Sequence, residues 1–102
     1  MVGMYLKIHE TKDGKIVAAC DKELIGRVLE EEGGVYIDLD AYRNFYIGSL
    51  ASEQELLAAL RGFSSANLIG KKVVAIAVKN RIVGESNIRY INSIPYIQIY
   101  NI

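Results

Sequence analysis

The stretch Tyr5-Leu6-Lys7-Ile8-His9-Glu10-Thr11-Lys12-Asp13-Gly14-Lys15-Ile16-Val17-Ala18-Ala19-Cys20 decides the fold class. Residues alternate on both sides of Asp13-Gly14, and a period of two marks a strand with one buried face. Asp-Gly is a strong hairpin dipeptide because a type I′ turn needs positive φ at both central residues. Residues 5–10 and 15–20 therefore read as a β-hairpin. If Asp13 and Gly14 form a two-residue loop, Lys12 pairs with Lys15, Glu10 with Val17 and Ile8 with Ala19. Leu6, Ile8, Val17 and Ala19 then share the core face. Tyr5, Lys7, His9, Ala18 and Cys20 share the other.

Downstream, Asp21 has the chemistry of a helix N-cap, since its carboxylate can accept from free amides of a first turn. Residues 22–32 place Leu24, Ile25, Val28 and Leu29 on one helical stripe, and Gly33-Gly34 ends it. Residues 35–39 alternate as a short strand, and Asp40 is positioned to cap a helical turn reaching Phe45. Ser52-Glu53-Gln54-Glu55 is a capping box. It opens a second main helix that buries Leu56, Leu57, Leu60 and Phe63, with Gly62 near its end. Residues 71–79 are rich in β-branched side chains and fit either a buried strand or a helix. The alignment of Ile69, Val73, Ile76 and Ala77 on one side favours the helix, with Lys71, Lys72 and Lys79 as a narrow basic strip. Residues 88–91 and 96–101 read as a C-terminal hairpin entered at Pro95. Ile97 and Ile99 face its core, and Tyr96, Gln98 and Tyr100 face away. The pattern is that of one α+β domain over residues 4–102: a mainly antiparallel sheet with about three helices packed on it.

Composition bounds the function. The chain has 102 residues, 51% hydrophobic and 24% charged, which excludes a disordered polymer. The longest apolar run, Val73 to Val78, is too short to span a bilayer. The first ten residues lack the apolar core of a signal peptide. One cysteine forms no internal disulfide, which fits a reducing cytoplasm. One histidine and one cysteine exclude the usual Cys/His zinc sites, and no cofactor motif is present. The net charge of zero hides an asymmetry. Residues 1–55 carry eleven acids and six bases, whereas residues 56–102 carry six bases and only Glu85 as an acid. Separated in space, such halves attract an anionic partner to the basic one; packed together, they pair.

Four segments recur in order in a known family: residues 5–10, residues 13–21, Ser65-Ala66-Asn67-Leu68-Ile69-Gly70, and Pro95-Tyr96-Ile97-Gln98. Through them the chain resembles the archaeal domain-of-unknown-function family numbered 424, from Met4 to its end. The resemblance implies an archaeal cytoplasmic single-domain protein with a link to translation or ribosome biology, and it favours the helix after Gly70. It supplies no catalytic residue. It also implies that Met1-Val2-Gly3 precede the family's usual start. Fourteen isoleucines against two glutamines fit a thermophile.

Four constellations carry candidate chemistry. In the expected hairpin register His9 and Cys20 are diagonal neighbours, about 7–8 Å apart, and an imidazole beside a thiol can generate a nucleophilic thiolate. The alternative is a buried cysteine and a hydrogen-bonded histidine. Asp38 and Asp40 can share a hard cation, or simply end a strand and cap a turn. The run from Ser65 to Lys72 at a helix start can hold phosphate, although the Walker glycine spacing is absent; Ser65 or Asn67 as a plain cap, with Gly70 for close packing, is the other reading. Last, Arg89, Tyr90, Tyr96, Gln98 and Tyr100 form an aromatic sheet face next to Lys71, Lys72, Lys79 and Arg81. Tyrosine and arginine planes stack on unpaired bases, and lysines neutralise phosphate. The expectation is a non-enzymatic module that contacts RNA or a ribonucleoprotein. A protein-interaction surface or homodimer on the same tyrosines is the alternative, and a small enzyme built on His9 and Cys20 a third.

Overall fold

The computed structural model describes residues 3–31, 34 and 36–100. Met1 and Val2, the expected helix end at Glu32 and Gly33, the strand start at Val35 and the strand end at Asn101 lie outside the described residues.

The N-terminal hairpin forms as β1 (Met4–Thr11) and β2 (Gly14–Asp21). Its register differs from the expected one by two residues: Thr11 pairs with Gly14, Glu10 with Lys15, Ile8 with Val17 and Leu6 with Ala19. The loop is Lys12-Asp13. The Thr11 hydroxyl accepts from the Asp13 amide at 3.2 Å and donates to the Gly14 carbonyl at 2.9 Å, which fastens this turn. Gly14 supplies a φ of 126° as the first residue of β2. A shift of two preserves the faces, so Leu6, Val17 and Ala19 are buried as expected, whereas Ile8, expected in the core, is 42% exposed and stands outside the packed cluster of that face.

Residues 22–31 do not form the expected helix. A single 3₁₀ turn, Lys22–Leu24, gives way to Gly26 at φ 91° and then to β3 (Val28–Glu30). β3 pairs antiparallel with β4 (Tyr36–Asp38) as a separate two-stranded sheet. Leu24, Leu29 and Leu39 converge in one apolar cluster from this turn, strand and loop. That convergence fits an extended chain as well as a helical stripe, and glycine decides for the former.

α1 (Arg43–Tyr46) and β5 (Ser49–Leu50) follow, then α2 (Glu53–Ala59). The capping box of α2 is complete, with the Glu55 amide donating to Ser52 Oγ at 3.2 Å and the Ser52 amide donating to Glu55 at 3.0 Å. Residues 65–69, expected at a helix start, are instead β6 (Ser65–Ile69). α3 (Lys71–Lys79) follows at once, as the helical reading requires. A second 3₁₀ turn, Glu85–Asn87, leads to the C-terminal hairpin β7 (Arg89–Ile91) and β8 (Ile94–Tyr100).

The main sheet has the order β5-β1-β2-β6-β8-β7. All its pairs are antiparallel except β2 with β6, which run parallel and need the long crossover between them. The fold is α+β, with three α-helices among the described residues. Each face of the sheet carries its own core. On one, Leu6, Val17, Ala19, Leu68 and Ile97 pack under α2 and α3. On the other, Ala18, Cys20 and Ile69 pack under α1 and the β3–β4 hairpin.

Asp21 does not cap the segment that follows it. Its carboxylate reaches across to the parallel crossover and accepts from the Lys72 and Val73 amides, both at 3.0 Å. It thereby caps α3 from about fifty residues away in sequence. Gly70 makes this possible: its φ is 114°, and a methyl group there would overlap the Asp21 carboxyl carbon.

Candidate functional site

The two faces of the sheet are not covered to the same extent. Across the second face, register places Ala18, Asn67 and Gln98 side by side on β2, β6 and β8. Ala18 is fully buried, Asn67 half-buried and Gln98 exposed. The cover of α1 and the small hairpin therefore stops along this row. What remains is an open groove of about 410 Å³ between the sheet and its cover.

Its walls are aromatic. Tyr36 of β4 and Tyr42 before α1 are 63% and 64% exposed, although both rings line a concave surface. Phe45 stacks on His9, with ring centroids 4.6 Å apart and planes 12° off parallel. Tyr46 meets Phe45 edge-on at 5.1 Å. The His9 ring also donates from Nε2 to the Phe45 carbonyl at 2.8 Å, so a β1 side chain braces α1. Tyr46 is buried enough that its hydroxyl is pushed up to about 12, with Cys20 adding to the effect; it is a neutral donor and acceptor at the groove.

The polar lining is sparse. Asp38 Oδ1 accepts from the amides of Asp40 at 3.0 Å and Ala41 at 2.8 Å, which fixes the carboxylate at the end of β4. Asn67 and Gln98 also line the groove, and among the described residues neither carboxamide has a protein hydrogen bond. Among the described residues no lysine or arginine lines it.

The sequence-derived candidates fall in different places. His9 and Cys20 are not brought together. His9 lies opposite Ile16, and Cys20 opposite Tyr5, four residues further along β2; at the usual rise this is about 13 Å along the strand. Cys20 is buried and donates its S–H to the Asp21 carbonyl at 3.2 Å. Burial first, then the charges of Asp21 and Glu23, push its thiol up to about 12, opposite to what a nucleophilic thiolate needs. Asp40 pairs with Arg43, and Asp38 accepts from the Asp40 and Ala41 amides. No group of three or more potential metal ligands occurs among the described residues. The expected phosphate loop is strand β6 and a glycine held against Asp21.

The expected basic and aromatic face is divided by the sheet, because successive strand residues point to opposite sides. Arg89 sits opposite Tyr96 and shares a face with Gln98 and Tyr100. Tyr96 is half-buried against the second core, whereas Tyr100 is 78% exposed. Tyr90, opposite Pro95, points to the other face. There it borders a shallow depression of about 690 Å³ with Lys71 and Lys79 of α3. Lys79 pairs with Glu53 at 3.0 Å, which joins the basic and acidic halves. Lys72 is exposed on α3, and Arg81 follows that helix at φ 60°. Of the expected contact residues, only Gln98 lines the aromatic groove.

Tyr36, Tyr42 and Phe45 were not expected at a site, and Asn67 was expected only in a phosphate-holding or capping helix start. The signal for Asn67 was its place two residues from Ile69 in an alternating run, which requires residues 65–69 to be a strand. The aromatic spacing from Tyr36 to Tyr46 was visible, but nothing local shows that these rings meet the sheet.

The model of a family described as Protein of unknown function (DUF424) matches residues 9–102. No curated protein matches the chain. The fold is similar to that in the crystal structure of an uncharacterized conserved protein from Methanopyrus kandleri, with a TM-score of 0.73 at 22% identity. That similarity covers 95% of this chain and 90% of the other. Among the described residues no helix is long and apolar enough to cross a membrane.

Proposed function

We propose that this chain, which belongs to the DUF424 family of proteins of unknown function, is a non-catalytic binding module that takes an unpaired RNA base into the aromatic groove. One observation carries the reading: Asn67 and Gln98 stand side by side with free carboxamides inside a groove walled by tyrosines. A carboxamide offers a donor and an acceptor together, which suits the edge of a base. A tyrosine ring supplies the stacking plane. The volume lies within the range of small-ligand sites. Arg89 and Lys7 share this face of the sheet and are the cations nearest in register for the phosphates.

Stacking of a base on an aromatic side chain contributes about 1–3 kcal/mol. Tyr42→Ala should therefore weaken binding of a labelled single-stranded RNA about tenfold in a fluorescence anisotropy titration, and Gln98→Ala by less. Duplex RNA of the same length should bind far more weakly, because its bases are not free to enter. Affinity unchanged by Tyr42→Ala, or a preference for duplex, would refute the base-binding reading. A protein partner docked on the same tyrosines is separable by salt: RNA affinity falls steeply as salt rises, while an aromatic protein interface responds little.

A further inference from the structure

We propose that Asp38 makes the groove selective for bases that carry an exocyclic amino group, so that cytosine is favoured over uracil. The inference rests on the reading of the groove as a base site. Besides the tyrosine hydroxyls, which rotate to donate or accept, three polar side chains of different adaptability line it: Asp38, Asn67 and Gln98. The two carboxamides have no protein hydrogen bond that fixes which end is oxygen and which is nitrogen. Each can turn over and meet a donor or an acceptor equally well. Asp38 has no such freedom. An ionised carboxylate only accepts, and the Asp40 and Ala41 amides hold this one in place.

Cytosine and uracil have the same ring size and nearly the same stacking area, so the aromatic walls do not separate them. They differ at position 4, where cytosine presents the N4 amino group and uracil the O4 carbonyl, and at N3, which accepts in cytosine and donates in uracil; the selectivity arises from Asp38 set against position 4. Against Asp38 the amino group donates a charge-assisted hydrogen bond. The carbonyl would place lone pairs against lone pairs, and among the described residues no lysine or arginine lines the groove to relieve the repulsion. Selectivity therefore falls on the one lining group that cannot change its hydrogen-bonding sense.

The test uses the full chain with short labelled oligo(C) and oligo(U) in anisotropy titrations near neutral pH, for wild type and Asp38→Asn. Asparagine retains an Oδ1 for the Asp40 and Ala41 amides, so the turn is kept, and it turns an N–H₂ toward the groove. Wild type should bind oligo(C) at least tenfold more tightly than oligo(U). Asp38→Asn should bring that ratio near one or reverse it in favour of oligo(U). Binding of both by wild type with equal affinity would overturn the role of Asp38 while leaving the base site standing. An unchanged ratio in Asp38→Asn would do the same. Binding of neither would overturn the base site itself, and the selectivity with it. The wild-type ratio needs no variant, so the proposal can be tested even if Asp38→Asn folds poorly.

Discussion

The two faces of one sheet have been put to different uses. On the first, α2 and α3 lie over Leu6, Val17, Ala19, Leu68 and Ile97 and bury them, leaving Ile8 exposed towards the turn end of β1. On the second, α1 and the β3–β4 hairpin cover Cys20 and Ile69 and stop at Asn67 and Gln98. The strands are the same, and so is the backbone hydrogen bonding. The difference lies in the cover: two helices against a four-residue helix and a pair of three-residue strands. A small cover leaves aromatic rings partly wet and carboxamides free. The comparison teaches that stability should reside mainly on the first face and recognition on the second.

The largest effect should come from the first face. Leu68 on central strand β6 is 1% exposed. Leu68→Ala removes buried methyl groups from a closed layer that cannot easily collapse, at a cost of about 2–5 kcal/mol. A urea melt should show a lower midpoint with an unchanged slope. A loss below 1 kcal/mol would mean that the first face is not the better-packed one.

Asp21 should come next, because it ties β2 to α3. Asp21→Ala leaves the Lys72 and Val73 amides without their partner, at a cost of about 1–3 kcal/mol. Gly70→Ala should cost a similar amount by crowding the same carboxylate. Burial is the main cause that raises the Asp21 carboxyl above its ordinary value, partly offset by the two backbone hydrogen bonds. The folded state then holds a proton more strongly than the unfolded one. Asp21 therefore favours folding most at pH values below its unfolded value of 3.8, and that contribution is lost as pH rises through the folded value. Asp21→Asn has no such titration. The stability difference between wild type and Asp21→Asn should thus shift against wild type as pH rises from about 3.8. A shift in the opposite direction would show that the two amides outweigh burial.

On the second face the effect on stability should be small and that on binding large. Tyr42 is 64% exposed, so Tyr42→Ala should change stability by no more than about 0.5 kcal/mol. The same variant should lose about tenfold in RNA affinity. A loss of stability comparable to that of Leu68→Ala would erase the distinction between the faces.

What the residues disclosed in advance follows the same division. The faces of the N-terminal hairpin, the α2 capping box, α3 and the C-terminal hairpin were legible because period and cap chemistry are local. The second layer was not. Leu24, Ile25, Val28 and Leu29 have helical spacing, and only Gly26 in a left-handed conformation turns the chain into β3. β6 was hidden because its pairing is non-local, with β2 parallel on one side and β8 antiparallel on the other. Asp21 was expected to cap the segment that follows it, whereas the helix it caps lies far along the chain. The groove needed all three of these placements. Gln98 was the one lining residue among the expected contacts, since its outward direction follows from alternation along β8 alone.

The smallest effects separate the cations of the two faces. Lys79 on α3 pairs with Glu53, both partners largely solvated, and such pairs contribute about 0–1 kcal/mol. Lys79→Glu should therefore change stability by less than about 1 kcal/mol. Its influence on RNA should be only the long-range part of a charge reversal, because α3 lies on the far side of the sheet from Gln98. Arg89 is on the near side, opposite Tyr96. A phosphate contact there should reveal itself in salt dependence, since losing one contact lowers the slope of log affinity against log salt by about 0.7 for a single strand. Arg89→Glu should lower that slope, and Lys79→Glu should leave it nearly unchanged. The reverse order would place the nucleic acid on Lys71, Lys79 and Tyr90 beside α3, and would make the closed face the one that binds.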